Sequence, residues 1–327
     1  MLFTKRSRLL RAGAAALVIG MLASLGSVAA AAPAAVDRSP GWLSGASGPQ
    51  AANGSFGAWR GSPVEIGGTW LNSTGVYTLQ PGSEWGSYRG AMDVAVVPPS
   101  WSGWAAEADG VHDAYFRQMF RTIANLRDGR ATTYIRLWHE YNGDWMPYSV
   151  RTESDAANFK AAWNRTARIA RAEFPKAKLM LGTAAAGSFP VSSTYPDDRL
   201  VDGMSIDFYN NWTFCTTDAC FDRKIESGGG VNSLADLQRL AKAHRDPIII
   251  SEWSNQGQPR GSGQGGGGES PQFIRSWHAW LKANAGNGPG EVLADVQFNL
   301  WSDQFEFFDG STTRVQPETA NEYRRVF

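Results

Sequence analysis

Two stretches of sequence decide the fold: residues 133–145, TYIRLWHEYNGDW, and residues 247–255, PIIISEWSN. Each begins as a short run rich in apolar side chains and then changes to polar and aromatic residues, with a glutamate at the change, Glu140 in the first stretch and Glu252 in the second. In a parallel α/β barrel the active site lies at the carboxyl ends of the strands. The pattern therefore predicts a (β/α)8 barrel in which Glu140 and Glu252 lie at the same end.

The rest of the chain alternates between strand-like and helix-like segments, which is typical of a parallel sheet with helical crossovers. Apolar residues at helical spacing predict helices between the strands, for example around Phe116 and Phe120, around Trp163, around Leu237 and around Trp277. Seven clear strands and one weak first strand fit a closed eight-stranded barrel better than an open sheet. The predicted strands are residues 42–46, 63–70, 91–97, 132–140, 178–183, 201–209, 247–252 and 293–301.

The first 32 residues have the features of a secretory signal peptide. Four basic side chains lie between Lys5 and Arg11, a short apolar core follows, and an alanine-rich stretch at residues 29–32 offers cleavage sites. The core is mostly Ala and Gly, whereas a membrane anchor needs about 20 strongly apolar residues. We therefore expect residues 1–32 to be removed, residues 33–327 to form one barrel domain, and the mature protein to be extracellular.

Charge and composition narrow the class of partner. The chain has 31 basic and 31 acidic side chains, and loss of the first 32 residues removes four basic ones and no acidic ones, which leaves a net charge of −4. This mild acidity gives no electrostatic reason to expect nucleic acid or an anionic membrane as partner. The chain also has 14 Trp. Large interior side chains account for part of that number, and the excess favours sugar binding.

Cys215 and Cys220 are the only two cysteines in the chain. In an oxidising compartment, two cysteines separated by four residues most simply form a disulfide that closes a small loop. Metal binding by the two thiols is the alternative, but no histidine is adjacent to them. We therefore expect a disulfide and no metal site.

Two carboxylates on different strands of one barrel can lie on either side of a sugar bond, which is the requirement for glycoside hydrolysis. In a retaining enzyme the two carboxyl groups are about 5–5.5 Å apart, and one acts as acid/base while the other is the nucleophile. Close carboxyl groups push their pKa values apart, so that one keeps its proton while the other stays ionised. Arg136 lies four residues before Glu140, on the same face of a strand, and we expect it to pair with Glu252.

Residues 136–145, RLWHEYNGDW, resemble the fourth-strand motif of glycoside hydrolase family 26, whose best-known members are β-mannanases. The resemblance extends to residues 202–210, DGMSIDFYN, and to residues 248–253, IIISEW, so that the specific motifs cover the second half of the chain. That family belongs to clan A, a retaining clan of (β/α)8-barrel glycosidases with the acid/base on strand four and the nucleophile on strand seven. The resemblance therefore implies a retaining glycosidase with no metal or organic cofactor.

The resemblance also implies roles for individual residues. Glu140 matches the acid/base and Glu252 matches the nucleophile. Four further positions match residues that bind the substrate or support these two: His139 lines the site, Trp145 packs near the cleaved bond, Tyr209 hydrogen-bonds the nucleophile, and Asp207 is a supporting polar residue.

Several of these side chains have an alternative interpretation as core residues. His139 could be satisfied by a backbone carbonyl, and Tyr209 could pack inside the barrel. Trp301, at the end of the predicted eighth strand, could form a sugar platform beneath the site or belong to the core. The family pattern has Pro and Tyr where this chain has Leu137 and Trp138, and we interpret Trp138 as a residue that alters the floor of the cleft.

We therefore predict a secreted, retaining glycoside hydrolase that cleaves a β-linked polysaccharide and is most similar to an endo-β-1,4-mannanase. Alternatives with the same mechanism are mixed-linkage β-glucan, β-1,3-xylan or a bacterial exopolysaccharide as substrate. A non-catalytic sugar-binding barrel is the alternative from another class, although binding alone does not require a paired acid and nucleophile. The expected partner is the polysaccharide substrate, and the protein is expected to be a monomer that needs no cofactor.

Overall fold

The computed structural model describes residues 41–71, 76–228, 230–258, 266–311 and 316–327. The predicted signal peptide lies outside these ranges. No helix within them is long and apolar enough to cross a membrane.

Eight parallel strands form a closed barrel in which each strand pairs with the next one in sequence and the eighth pairs with the first. The predicted (β/α)8 barrel is confirmed, including its weak first strand. The strands are β1 (Leu43–Ser47), β2 (Ile66–Leu71), β3 (Ala91–Val96), β4 (Thr133–Leu137), β5 (Lys178–Ala184), β6 (Gly203–Asn210), β7 (Ile248–Asn255) and β8 (Val292–Gln297).

Helices lie between most of the strands, and the four amphipathic helices predicted from apolar spacing are all present: α4 (Asp113–Leu126), α5 (Glu153–Glu173), α7 (Leu234–His244) and α8 (Pro271–Asn284). In the described ranges, the β2–β3 and β5–β6 connections contain a 3-10 turn each, Tyr77–Leu79 and Val191–Ser193, and no α-helix. The helices in the described ranges are α1 (Pro49–Ala52), α2 (Ser55–Arg60), α3 (Trp104–Asp109), α4 (Asp113–Leu126), α5 (Glu153–Glu173), α6 (Asp218–Ser227), α7 (Leu234–His244), α8 (Pro271–Asn284) and α9 (Pro317–Val326).

Two of the three α-helices between β4 and β7, α5 and α7, begin at capping boxes. Thr152 caps α5, because its hydroxyl accepts from the Asp155 amide while the Asp155 carboxylate accepts from the Thr152 amide. Ser233 and Asp236 form the same arrangement at the start of α7. Each box satisfies backbone donors that a helix start otherwise leaves without partners, and so fixes where the loop after the strand ends.

The core has two parts. The larger cluster lies between the strands and the helices and includes the fully buried rings of Trp163, Trp253 and Trp277. The smaller cluster takes side chains mostly from the amino-terminal halves of the strands, with Val296 of β8 as an exception, and residues from opposite strands can meet only inside the barrel. Its buried members are Ile66, Ala91, Tyr134, Met180, Ile249, Ala294 and Val296. The apolar filling of the barrel therefore lies towards its amino-terminal end.

The strand ends differ from the prediction at both glutamates. β4 ends at Leu137, so Glu140 lies in the turn that follows the strand instead of closing it. β4 ends there because Trp138 has a φ of 49°, in the left-handed region that a strand cannot continue. β7 continues to Asn255, so Glu252 lies within the strand.

The predicted end of the eighth strand is also wrong. β8 ends at Gln297, and Trp301 begins a π-helical turn, Trp301–Phe305, four residues further on. Trp301 has a φ of 58°, which is again incompatible with an extended strand. Short π-helical turns are frequent at functional sites, and this one lies at the carboxyl end of the barrel.

Candidate active site

Glu140 and Glu252 both line an open cleft at the carboxyl ends of the strands, with a volume of about 1010 Å³. One carboxylate oxygen from each of Glu140, Asp207 and Glu252 lies within 4.8 Å of the other two. The oxygens of the two glutamates are therefore about as close as the carboxyl groups of a retaining glycosidase, which are roughly 5–5.5 Å apart. Residues that are 112 positions apart in the sequence are thus brought to one point.

Glu252 accepts hydrogen bonds from three strands. Trp70 Nε1 donates to Oε1 at 2.6 Å, Arg136 Nη1 donates to the same oxygen at 2.9 Å, and Tyr209 Oη donates to Oε2 at 2.9 Å. The residue is only 6% exposed. An ionised carboxylate accepts hydrogen bonds and donates none, so this surrounding suits an ionised Glu252, which is the form a nucleophile requires.

Arg136 pairs with Glu252 as expected, although β4 ends at Leu137 and strand alternation does not reach Glu140. Its guanidinium also contacts Asp93 through Nε at 3.0 Å and Asp207 through Nη1 at 3.2 Å. Burial alone would lower the pKa of Arg136, but the three carboxylates hold that pKa above its ordinary value. Arg136 is fully buried and does not line the cleft, so a molecule in the cleft would contact Glu252 and not Arg136.

Asp207 lines the cleft beside Glu252, with which it is paired across β6 and β7. The register of these strands shifts between Ile206 and Asp207, and such bulges commonly redirect a side chain near an active site. Burial, followed by the charge of Glu252, raises the pKa of Asp207 well above its ordinary range despite Arg136. Within the described ranges, Glu140, Asp207 and Glu252 form the one group of three side chains close enough together to hold a metal ion, and Arg136 already supplies a positive charge to two of them.

Glu140 lies in a turn with unusual backbone conformations. Trp138 and Glu140 both have positive φ values, 49° and 56°, and a non-glycine residue in that region costs on the order of 1–2 kcal/mol. Asn142 fastens the turn to the end of β5, because its side-chain amide accepts from Ala184 N at 2.9 Å and donates to Ala184 O at 2.8 Å. These buried hydrogen bonds hold the turn in the conformation that directs Glu140 into the cleft.

Trp145 is the hydrogen-bond partner of Glu140, since its Nε1 donates to Oε2 at 2.7 Å. A Cβ at Gly143 would come within 2.3 Å of the Trp145 ring, so the glycine allows the ring to fold back onto the glutamate. Burial, followed by the charge of Glu252, raises the pKa of Glu140 to about 8, against the opposing effects of Trp145 and Arg136. A carboxyl group that keeps its proton at neutral pH can act as a general acid.

His139 lines the cleft directly before the candidate acid. Its Nδ1 lies 3.3 Å from the hydroxyl of Tyr148, which also donates to the His139 carbonyl at 3.2 Å. Burial lowers the pKa of His139 to about 4, so the ring is neutral at neutral pH. His139 therefore lies in the wall of the cleft next to Glu140.

The cleft carries most of the exposed large hydrophobic side chains in the described ranges. Four of the six exposed large hydrophobic side chains in these ranges line it: Trp145, Trp212, Val231 and Trp301. Trp301 is 52% exposed, and its ring leans on Phe298 and Phe305 with centroid distances of 5.2 and 5.9 Å. Trp301 is therefore a cleft residue, and its alternative interpretation as a core residue is wrong.

The predicted effect of Trp138 on the cleft floor is wrong. The side chain is 1% exposed and does not line the cleft. Its ring packs edge-on against Trp104 and Phe116, at centroid distances of 5.5 and 5.6 Å, in the layer between strands and helices. The left-handed backbone at Trp138 ends the strand alternation on which the interpretation depended.

Sequence reasoning missed three residues of the network. Trp70 lies in β2 near its carboxyl end, and the rule that identified Glu140 would also have identified it. Asp93 had a signal as well, because it is a charged residue within the buried strand β3. Tyr148 had none, since it lies in an irregular loop and reaches His139 only through the tertiary structure.

The predicted disulfide joins Cys215 and Cys220, whose Cα atoms are 5.3 Å apart. Cys215 follows β6 and Cys220 lies in the first turn of α6, so the bridge closes a loop at the rim of the cleft. Lys224 holds the same loop, because its Nζ donates to the carbonyl oxygens of Trp212 and Thr213. Both contacts fix the segment that presents Trp212 to the cleft.

No family model and no curated protein matches the sequence, but solved structures match the fold. An endo-β-1,4-mannanase of family 26 from Cellulomonas fimi has a TM-score of 0.61 and 15% identity, over 88% of this chain and 71% of that chain. A family 26 β-mannanase from Bacteroides ovatus has a TM-score of 0.56 and 15% identity, over 88% of both chains. A Bacillus subtilis mannanase has a TM-score of 0.56 and 13% identity, over 86% of both chains. The chain therefore has the (β/α)8 fold of these glycoside hydrolases, as the sequence resemblance predicted.

Proposed function

We propose that the protein is a retaining glycoside hydrolase of family 26 that cleaves a β-linked polysaccharide, in the manner of an endo-β-1,4-mannanase. The observation that carries the proposal is the pair of carboxylates within 4.8 Å of each other in an open cleft. Their surroundings differ in the way that two roles require: Glu252 accepts three hydrogen bonds, while burial raises the pKa of Glu140 to about 8. The motif at residues 136–145 and the shared fold support the same family.

In the first step Glu252 attacks the anomeric carbon. Oε1 already accepts two hydrogen bonds, whereas Oε2 accepts one from Tyr209, so we assign Oε2 as the attacking oxygen. The new bond between Oε2 and the anomeric carbon forms as the glycosidic bond breaks, and the bonding electrons leave with the glycosidic oxygen. Glu140 transfers its proton to that oxygen, which departs as a hydroxyl group.

In the second step Glu140, now ionised, accepts a proton from a water molecule. The water oxygen attacks the anomeric carbon and the Oε2 bond breaks, so that Glu252 is released as a carboxylate and Glu140 is protonated again. Each step inverts the configuration at the anomeric carbon, and two inversions leave the product with the configuration of the substrate. Both residues return to their starting protonation states at the end of the cycle.

The cleft favours a neutral glycan. Four carboxyl side chains line it, Glu140, Asp144, Asp207 and Glu252, together with one basic side chain, Lys224. A lining with a single basic side chain offers little positive charge to a polyanion. Half-exposed Trp145, Trp212 and Trp301 offer flat apolar faces along the cleft. An open cleft with several such faces suits binding along a polymer, which supports an endo-acting enzyme.

Export is part of the proposal. Residues 1–32 are proposed to be a cleaved signal peptide, and residues 33–327 the mature, monomeric barrel domain. The disulfide between Cys215 and Cys220 supports this assignment, because such bonds persist in oxidising compartments outside the cytosol.

The test is activity of the mature chain on a polysaccharide panel that contains β-1,4-mannan, mixed-linkage β-glucan, β-1,3-xylan and bacterial exopolysaccharides. We expect mannan to be cleaved internally and NMR to show the β-anomer of the product first. Cleavage of another glycan in the panel would keep the mechanism and replace the substrate. Binding without cleavage would replace the enzyme with a sugar-binding barrel, and an inverted product would exclude the covalent intermediate.

A further inference from the structure

Arg136 is shared by three carboxylates, and one of them lies outside the cleft. Its Nε donates to Asp93 Oδ1 at 3.0 Å, while its Nη1 donates to Glu252 at 2.9 Å and to Asp207 at 3.2 Å. Asp93 is on β3, is fully buried and does not line the cleft. It therefore cannot touch a substrate, yet the Arg136 side chain links it directly to Glu252.

Stability does not explain a carboxylate at this position. The interior of a (β/α)8 barrel is normally filled by branched apolar side chains, as the inner cluster around Ile66 and Ile249 shows lower in this barrel. Removing two charges from water costs several kcal/mol per ion, and well-packed apolar side chains often stabilise a protein as much as a buried ion pair. The buried pair of Asp93 and Arg136 thus calls for a role other than stability.

The geometry of the guanidinium indicates that role. Its donors lie in one plane at fixed angles, and Nε and Nη1 point in different directions within that plane. An acceptor at Nε therefore fixes the rotation of the group and so the direction of Nη1. The Trp70 ring, 5.6 Å from Arg136 Cζ, limits movement of the plane from one side.

We propose that Asp93 is a positioning residue for the nucleophile. It fixes the guanidinium of Arg136 so that Nη1 reaches Glu252 and Asp207, and its negative charge offsets part of the positive charge that Glu252 experiences. Glu252 is then held in place by Arg136 without being fully neutralised by it. The inference rests on the proposed function only in taking Glu252 as the nucleophile.

Other titratable groups face the same network and must stay constant in a test. Around Asp93 they are Arg136 and Tyr134 from β4, Asp207 from β6 and Glu252 from β7. Around Glu252 they are Arg136 from β4, His139, Glu140 and Tyr148 from the turn and loop after β4, and Asp207 and Tyr209 from β6. A change confined to Asp93 leaves all of these side chains in place.

The test compares Asp93→Asn with wild type. Asparagine keeps the shape and an acceptor oxygen for Arg136 Nε but removes the charge. Loss of a nearby like charge stabilises the Glu252 carboxylate. We therefore expect the acid limb of the pH profile of kcat/KM to move to lower pH by about one pH unit. We also expect kcat to fall with little change in KM, because a more strongly neutralised carboxylate is a weaker nucleophile.

Asp93→Ser, which is smaller, replaces the asparagine variant if that variant does not fold. It should shift the acid limb of the pH profile in the same direction.

The same shift is measured without turnover by carbon-13 NMR of protein labelled at the glutamate carboxyl carbons. The Glu252 signal is assigned with Glu252→Gln, and its titration midpoint should be lower in Asp93→Asn than in wild type. Asp295→Asn is the matched control, because Asp295 is equally buried in a strand but accepts from the indoles of Trp42 and Trp253 instead of from Arg136.

An unchanged midpoint and acid limb in both Asp93 variants would overturn the inference. So would an equal shift in Asp295→Asn, because the effect would then come from any buried charge. The NMR measurement does not depend on hydrolysis. A wild-type protein that cleaves no glycan would therefore count against the proposed function alone, while the titration of Glu252 still decides the role of Asp93.

Discussion

Arg136 Nη1 lies 2.9 Å from Glu252 Oε1, although 116 residues separate the two in the sequence. The contact crosses the top of the barrel from β4 to β7 and joins the candidate nucleophile to Asp93 and Asp207. A buried charge pair of this kind is strongly disturbed when one partner is removed. The position of Glu252 therefore depends on side chains from several strands, and the closed barrel is what holds them together.

Glu252→Ala and Glu140→Ala are expected to fail in different ways. Without Glu252 no covalent intermediate forms, so activity should be lost on every substrate of the right sugar. Without Glu140 the leaving group is not protonated, so polysaccharides should be affected most, and aryl glycosides with good leaving groups should be partly spared in the first step. Added azide needs no general base and should give Glu140→Ala a glycosyl azide of retained configuration, which NMR of the product identifies.

Thermal melting of both alanine variants is the control for folding. An equal loss of activity in the two variants that azide does not restore would remove the support for separate roles. Full activity of Glu140→Ala on polysaccharide would mean that another residue is the acid.

Tyr209→Phe should lower kcat while the fold persists. The substitution removes the hydrogen bond from the Tyr209 hydroxyl to Glu252 Oε2 and keeps the ring contacts with Phe298 and Phe305. Steady-state kinetics and thermal melting of the same preparation test this. A variant that melts much earlier but turns over substrate normally would show that Tyr209 is a packing residue.

Activity should be lost as the pH rises through the pKa of Glu140. A general acid must be protonated, and burial raises the pKa of Glu140 to about 8. The basic limb of the pH profile of kcat/KM should therefore lie near pH 8. The hydrogen bond from Trp145 lowers this pKa. Trp145→Phe should therefore move the basic limb to higher pH, as pH profiles of kcat/KM would show.

Trp212→Phe is the control for that measurement, because Trp212 is equally exposed in the cleft and is not among the groups that shift Glu140. The basic limb of the pH profile of Trp212→Phe should stay at the wild-type pH. A limb that moves down in Trp145→Phe would contradict the assigned acid.

The disulfide should be complete in the exported protein and should stabilise mainly its own loop. Thiol titration under denaturing, non-reducing conditions should find no free cysteine, and two titratable thiols would contradict the bond. The closed loop is short, so its loss should cost only about 2 kcal/mol on the chain-entropy model. Hydrogen exchange after reduction should increase most in the segment that follows β6, which contains Trp212.

The barrel was predictable because its signals are local. A strand buried on both faces reads as a short apolar run, and an amphipathic helix repeats its apolar residues every three or four positions. Neither pattern requires knowledge of distant contacts, so seven strands and the four marked helices follow from it. The weak first strand, β1, reads LSGAS and has no such run, so it was predicted because eight strands close a barrel. Strand ends were less predictable. The left-handed φ values at Trp138 and Trp301 are uncommon for non-glycine residues, and the neighbouring residues give no sign of them.

The sequence by itself determined which residues are the candidates for the chemistry, because Glu140 and Glu252 each follow or interrupt an apolar run, and all parallel strands of a barrel present their carboxyl ends on one side. Strand alternation does not relate Arg136 to Glu140, because β4 ends at Leu137. Only the tertiary structure decided what surrounds these residues. The indole of Trp70 and the carboxylate of Asp93 reach the network across the closed barrel, and burial there sets the pKa of Glu140. Such contacts depend on side-chain positions in three dimensions, which no local pattern contains.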